Sequence, residues 1–282
     1  MMRVEGVQHT LVLPVVGRAI AAKRWPQNFG DVHSQRIAQT LGSHRREALH
    51  FSDYALVSYG ARYTTCVEYV RRYLRRFPAA AVVDLGCGLD SMYDAVDNGQ
   101  MRYYNVDFPD VIAQREALFG VREREYNIAS DLRVHTFLDD IPAHNGAIFI
   151  AAGVMYYLRV GEGKALIAAL AQRFDAGRLV FDHQCPAWMD RSNTAVERSG
   201  IHGATMYFRL ADPMVITSWS KHIAHLAINP EWYAAVAHPE QLPWPIRALA
   251  RYNRLRMCAY FVVLDFAAPA QENPGISSGE TT

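Results

Sequence analysis

The run Asp84-Leu85-Gly86-Cys87-Gly88-Leu89-Asp90-Ser91 follows a stretch of small and β-branched apolar residues, Ala79 to Val83. Gly86 and Gly88 let the backbone approach a bound molecule closely, because neither carries a Cβ. Asp107 stands about 20 residues further on, the distance at which an acid ending the next strand accepts hydrogen bonds from ribose hydroxyls. The same aspartate suits an N-cap for the helix that Phe108-Pro109-Asp110 opens, and the residues alone leave both roles open. A dinucleotide fingerprint needs Gly or Ala where Ser91 stands, which disfavours a nicotinamide-dependent oxidoreductase. His183 follows the apolar pair Val180-Phe181 by two residues, on the rim where a general base would sit, although a solvated loop histidine fits the same position. Tyr156 and Tyr157 lie after the preceding apolar run. His222 and His225 have helical spacing but no third ligand nearby, so no metal is expected.

These groups need strand ends to hold them. Continuous apolar runs predict buried strands at Ala79–Leu85, Met101–Val106, Ala147–Ala151 and Arg178–Phe181. Helices are expected over Asp31–Gly42, Ala61–Arg76, Val111–Phe119 and Lys164–Phe174. In the second of these, Val67, Val70, Tyr73, Leu74 and Phe77 form the apolar stripe, and the doublets Arg71-Arg72 and Arg75-Arg76 form a solvated face. Met214–Trp219 and Met257–Phe266 read as late strands. Alternating strands and helices imply an α/β, Rossmann-like, doubly wound and mostly parallel sheet, whose ligands bind at the carboxyl ends of the strands. The division expected is a helical lid or cap over residues 1–60, a catalytic domain over 61–268, and a disordered tail over 269–282, rich in Pro, Gly, Ser and Glu.

Composition narrows the partners. The chain has 282 residues, half of them hydrophobic, and a formal net charge of +1. That balance argues against a nucleic-acid or anionic membrane partner. The apolar stretch Leu11–Val16 is interrupted by Pro14 and does not read as a signal peptide, and no run reaches the length that spans a bilayer. Cys66, Cys87, Cys185 and Cys258 form no CxxC pair, which fits a reducing cytoplasm and no structural zinc.

Three segments in order carry a resemblance: Gly86-Cys87-Gly88-Leu89-Asp90-Ser91, Val106-Asp107-Phe108-Pro109-Asp110-Val111-Ile112, and Ala151-Ala152-Gly153-Val154-Met155-Tyr156-Tyr157-Leu158. Gly6-Val7-Gln8-His9-Thr10, Gly17-Arg18-Ala19, Asp97-Asn98-Gly99 and Phe181-Asp182 extend it. The chain resembles the leucine carboxyl methyltransferase family of class I S-adenosylmethionine-dependent enzymes, and within it the tetracenomycin-type polyketide O-methyltransferases. The resemblance implies a seven-stranded sheet and S-adenosylmethionine as cofactor. It implies that Arg62 pairs with the cofactor carboxylate, that Gly86 and Gly88 line its methionine part with Asp84 beneath, that Asp107 holds the ribose, and that Asp131 and Leu132 contact the adenine. Two positions depart from relatives: Asn105 stands where many carry an acid, and Ala152 where enzymes acting on protein carboxyl termini carry Glu. The expected reaction is methyl transfer to a carboxylate or hydroxyl of a small metabolite, with His183 and Tyr156 as candidate catalytic groups. Cofactor binding without transfer, or transfer to N, C or S, are the alternatives.

Overall fold

Helix α1 spans Val12–Arg24. Pro14 falls in its first turn, where a missing N–H costs no hydrogen bond, so the apolar stretch read as interrupted is helical. α2 spans Val32–Thr40, started by Asp31, whose carboxylate accepts the Ser34 N–H at 2.9 Å. α3 runs Asp53–Arg76 behind Ser52, whose hydroxyl accepts the Ala55 N–H. It therefore begins before Ala61, and the division expected at residues 60/61 falls inside it. The structure is a computed structural model that describes residues 11–40, 51–90, 92–120, 122–198, 205–231 and 235–267. The Gly6–Thr10 segment, Ser91 and the tail over 269–282 lie outside the described residues.

The strands are β1 (Ala81–Leu85), β2 (Arg102–Asp107), β3 (Glu125–Ala129), β4 (Ala147–Ala151), β5 (Gly177–Gln184), β6 (Ile223–Asn229) and β7 (Ala259–Phe266). They form one seven-stranded sheet in the order β3-β2-β1-β4-β5-β7-β6. β7 alone runs against the others, pairing antiparallel with β5 and β6. Every residue of β1 and β4 is buried, as strands covered on both faces must be. Between them lie α4 (Met92–Val96), α5 (Pro109–Phe119), α6 (Val160–Arg173), α7 (Pro186–Arg198) and α8 (Trp244–Arg256). One sheet face packs on Leu166, Ile167 and Leu170 of α6. The other packs on Cys66, Val70 and Leu74 of α3.

One expected strand is corrected. Residues Pro213–Ser218 form a 3-10 helix, capped by the Asp212 carboxylate on the Met214 N–H. Pro213 has no donor for a ladder, and the Asp212 side chain rewards a turn instead. The late edge strand is β6, which carries His225, so the His222/His225 pair has no helical spacing.

The N-terminal helices pack on the first half of α3: Ala21, Ala22, Trp25 and Phe29 meet Leu56, Val57 and Ala61. A buried polar knot joins this cap to the sheet. Arg18 Nε donates to Asp31 at 2.9 Å and to Ser34 Oγ at 3.1 Å. Its Nη1 donates to Asp90 at 2.8 Å, in the loop after β1.

Candidate functional site

β1 ends in a turn that only glycine accommodates easily. Gly86 has φ +64° and Gly88 φ +50°, in the left-handed region that costs other residues about 1–2 kcal/mol. A Cβ on Gly86 would lie 2.4 Å from Val154 Cγ2, so the turns after β1 and β4 abut through that missing side chain. The Gly86 and Cys87 N–H groups both donate to the Val106 carbonyl, at 2.8 and 3.3 Å, which fastens the turn to the end of β2.

Asp107 completes that fastening. Its carboxylate accepts the Gly88 N–H and the Phe108 N–H, each at 2.8 Å. Phe108 is the N-cap of α5 and no side chain caps that helix, so the capping role is not the one the geometry shows. Burial raises the Asp107 pKa, against the opposing hydrogen bonds from Gly88 and Phe108. Asp84, at the end of β1, is buried and accepts from the Tyr103 hydroxyl at 3.3 Å. Burial and then repulsion from Asp90 push its pKa up to about 8. The Ser130 N–H donates to the Asp107 carbonyl at 2.8 Å, which brings Asp131 beside the β2 end. The Asp131 carboxylate is held by Arg133, whose hydrogen bonds lower its pKa, while Leu132 is buried in the core.

Arg62 projects from the middle of α3. Its Nη1 donates to Asp182 at 3.2 Å, and its guanidinium lies near the Tyr59 ring, 5.6 Å from the centroid. Burial opposes the charge, but Asp182, Tyr59 and Tyr156 outweigh it and hold Arg62 protonated. Asp182 also accepts the Gly153 N–H at 2.6 Å and the Tyr156 hydroxyl at 3.2 Å. The Tyr156 ring stacks on His183, with centroids 6.2 Å apart. His183 is fully buried among Phe181, Phe208 and Tyr260, which places it behind the rim rather than on it. Among the described residues, neither ring nitrogen makes a well-formed hydrogen bond. Burial lowers its pKa to about 4, against the raising influence of Asp182 and of the Leu210 backbone.

The structure thus gathers Arg62, Asp84, Gly86, Gly88, Asp107 and Asp131 along the carboxyl ends of β1 to β3 and the facing helix. Three contributors were assigned no role from sequence. Arg115 is almost fully buried and donates to the carbonyls of Gly88 at 2.9 Å and Asp90 at 2.7 Å, and to Asn105 Oδ1 at 2.8 Å. That contact accounts for Asn105, whose amide donates onward to Glu125 and Asn127. An arginine on the inward stripe of α5, beside Val111 and Ile112, was the available signal. Arg18 and Asp182 complete the set.

A glycine turn with positive φ, an acid at the end of the next strand and a desolvated guanidinium facing the strand ends form a donor set that fits an adenosine-bearing amino-acid cofactor. The fold is Rossmann-like and has solved counterparts. It is similar to the CurJ carbon methyltransferase, with TM-score 0.55 at 13% identity, covering 93% of this chain and 68% of that one. It is also similar to a DUF574 family protein from Streptomyces avermitilis, with TM-score 0.54 at 11% identity, covering 83% and 91%. A model described as leucine carboxyl methyltransferase matches residues 18–171, more than half of the chain, and the chain belongs to that family. It is 26% identical over 233 residues to the tetracenomycin polyketide synthesis O-methyltransferase TcmP of Streptomyces glaucescens, covering 82% of this chain and 84% of that protein. The protein is an S-adenosylmethionine-dependent methyltransferase.

Gly153 offers a direct check on the Arg62 geometry. It has φ +75°, and an added Cβ would stand 2.6 Å from Arg62 Nη1 and 3.0 Å from its Cζ. Gly153→Ala is expected to cost about 1–2 kcal/mol and to weaken S-adenosylhomocysteine binding several-fold by displacing the guanidinium. Thermal denaturation and calorimetry measure both; unchanged affinity would show that Arg62 does not touch the cofactor.

Proposed function

We propose that the protein methylates an oxygen of a small, polyketide-like metabolite, and that the oxygen belongs to a carboxylate. The likeness to TcmP supports the oxygen and the metabolite class. The observation that carries the choice of carboxylate is the state of His183: buried, with a pKa lowered to about 4. It is neutral at physiological pH and too weak a base to ionise an ordinary hydroxyl. Burial and the adjacent Asp182 raise the Tyr156 phenol well above its usual value, so it stays protonated. A carboxylate acceptor needs neither group as a base.

Bound S-adenosylmethionine supplies an electrophilic methyl carbon on a cationic sulfur. The chain's own contribution is placement. Arg62 takes the carboxylate of the cofactor, the Gly86–Gly88 backbone lines its methionine part above Asp84, Asp107 takes the ribose hydroxyls, and Asp131 with Leu132 borders the adenine. Alignment in a dry pocket then supplies most of the acceleration. Tyr156, with His183 packed behind it, stands nearest the acceptor. Helices α1 and α2 act as a lid, with α3 shared between that lid and the sheet domain. Among the described residues no helix is long and apolar enough to cross a membrane, which fits a cytoplasmic enzyme.

Turnover on a carboxylate is expected to be flat between about pH 6 and 7, because the acceptor and His183 titrate below that window and Asp84 above it. The product is an ester, cleaved by hydroxylamine and heavier than its parent by one methylene. A rate that rises through that window with a hydroxylamine-stable product would assign the acceptor as a hydroxyl. Transfer only to nitrogen, carbon or sulfur would refute the oxygen assignment and leave the enzyme class intact.

A further inference from the structure

We infer that Asp182 is a positioning residue that holds the Arg62 guanidinium in the orientation needed to receive the cofactor carboxylate. The inference rests on the reading of Arg62 given above. Among the described residues, the side-chain hydrogen bond of Arg62 is the one from Nη1 to Asp182 Oδ2, at 3.2 Å. One edge of the fork is therefore occupied, which leaves Nε and Nη2 to other partners. The flat face of the guanidinium rests on Gly153, where a Cβ would come within 2.6 to 3.1 Å of Nη1, Cζ and Nη2. Tyr59 flanks it. An arginine side chain has many rotamers, and a guanidinium fixed in advance loses less freedom when it binds.

Asp182 is itself fixed, being only 2% exposed near the end of β5. Oδ1 accepts the Gly153 N–H at 2.6 Å, and Oδ2 accepts both Arg62 and the Tyr156 hydroxyl. Two acceptor oxygens serve three donors on two segments, α3 and the turn after β4. An asparagine there has only one acceptor oxygen. Either the Gly153 N–H or the Arg62 Nη1 would then face an NH2 group, and the mobile partner, Arg62, would swing away. A purely structural ion pair between helix and sheet would give the same distances, so the test separates ligand orientation from folding.

The probes are S-adenosylhomocysteine and its decarboxylated analogue, which keeps the ammonium and lacks the carboxylate. Wild type should prefer the carboxylate-bearing ligand. Asp182→Asn is expected to weaken S-adenosylhomocysteine binding by about tenfold or more and to change binding of the analogue by less than about twofold. Arg62→Ala should abolish the same preference, and the double variant should bind no more than about twofold worse than Arg62→Ala alone. If Arg62→Ala leaves the preference intact, the Arg62 reading fails. If Arg62→Ala removes it and Asp182→Asn does not, the Asp182 inference alone fails. An equal loss for both ligands in Asp182→Asn assigns a structural role and overturns the inference. Should that variant not fold, Asp182→Glu keeps the charge and displaces the carboxylate by one methylene, and an unchanged preference there counts against the inference in the same way.

Discussion

Replacing Arg115 with leucine is expected to destabilise the protein by about 3–5 kcal/mol and to reduce cofactor affinity together with it. Arg115 leaves α5 on its inward side and is 2% exposed. Its Nη1 serves two carbonyls of the turn after β1, those of Gly88 and Asp90. Its Nη2 serves Asn105 on β2 and lies 3.5 Å from Glu125 on β3. Removing one member of such a buried set leaves the others desolvated without compensation. Glu125 keeps Arg122, at 3.0 Å, so the loss falls mainly on the turn. Urea denaturation measures the stability. A cost below about 1 kcal/mol would mean that the turn is held by the Gly86 and Asp107 bonds alone.

Asp84→Asn is expected to stabilise the cofactor-free protein, by an amount that grows with pH. In the unfolded chain the carboxyl loses its proton near 3.8, and in the folded chain near 8, because burial and Asp90 disfavour the charge. Between those values the folded state binds more protons than the unfolded one, so raising the pH costs stability. The penalty is absent below about pH 4 and complete above about pH 8. Asparagine has no such charge. The two proteins should melt together near pH 4 and separate by roughly 10 °C at pH 8.5, the variant being the more stable, since a tenfold difference in proton affinity between folded and unfolded chain is worth about 1.4 kcal/mol. Its affinity for S-adenosylhomocysteine should fall, a trade of stability against function common at binding sites. Parallel melting curves across the range would place a charged, compensated Asp84 in the fold.

The centre of the sheet and the strand ends that gather the candidate residues were legible because their signals are local. β1 and β4 are unbroken apolar runs, the glycines stand next to one another, and Asp107 closes β2. β6 was missed because an edge strand covered on one side has a weak pattern; its residues are half-buried or exposed. α8 was missed because its side chains face solvent, with Ile246 and Asn253 as its buried members. Asp182 stood in a recognisable pair with Phe181, yet its role was invisible, since its partners are 120, 29 and 26 residues away. His183 could not be judged from its neighbours in sequence either. Its burial comes from Phe208 and Tyr260, brought in by later segments. Arg115 gave the opposite difficulty, a charge on an apolar stripe that composition alone classes as surface.

Helix α3 belongs to two cores at once. Leu56, Val57 and Ala61 pack with the N-terminal helices, whereas Cys66, Val67 and Val70 pack beneath the sheet. Arg62 stands at the crossing. The cap therefore cannot melt as an independent foldon without fraying the turns that carry Arg62. Thermodynamic linkage then runs both ways: a ligand held by Arg62 raises the opening free energy of the cap, and any substitution that loosens the cap appears as weaker cofactor affinity at a distance. Amide hydrogen exchange in α1 and α2 would register the occupancy of a site that neither helix has to touch.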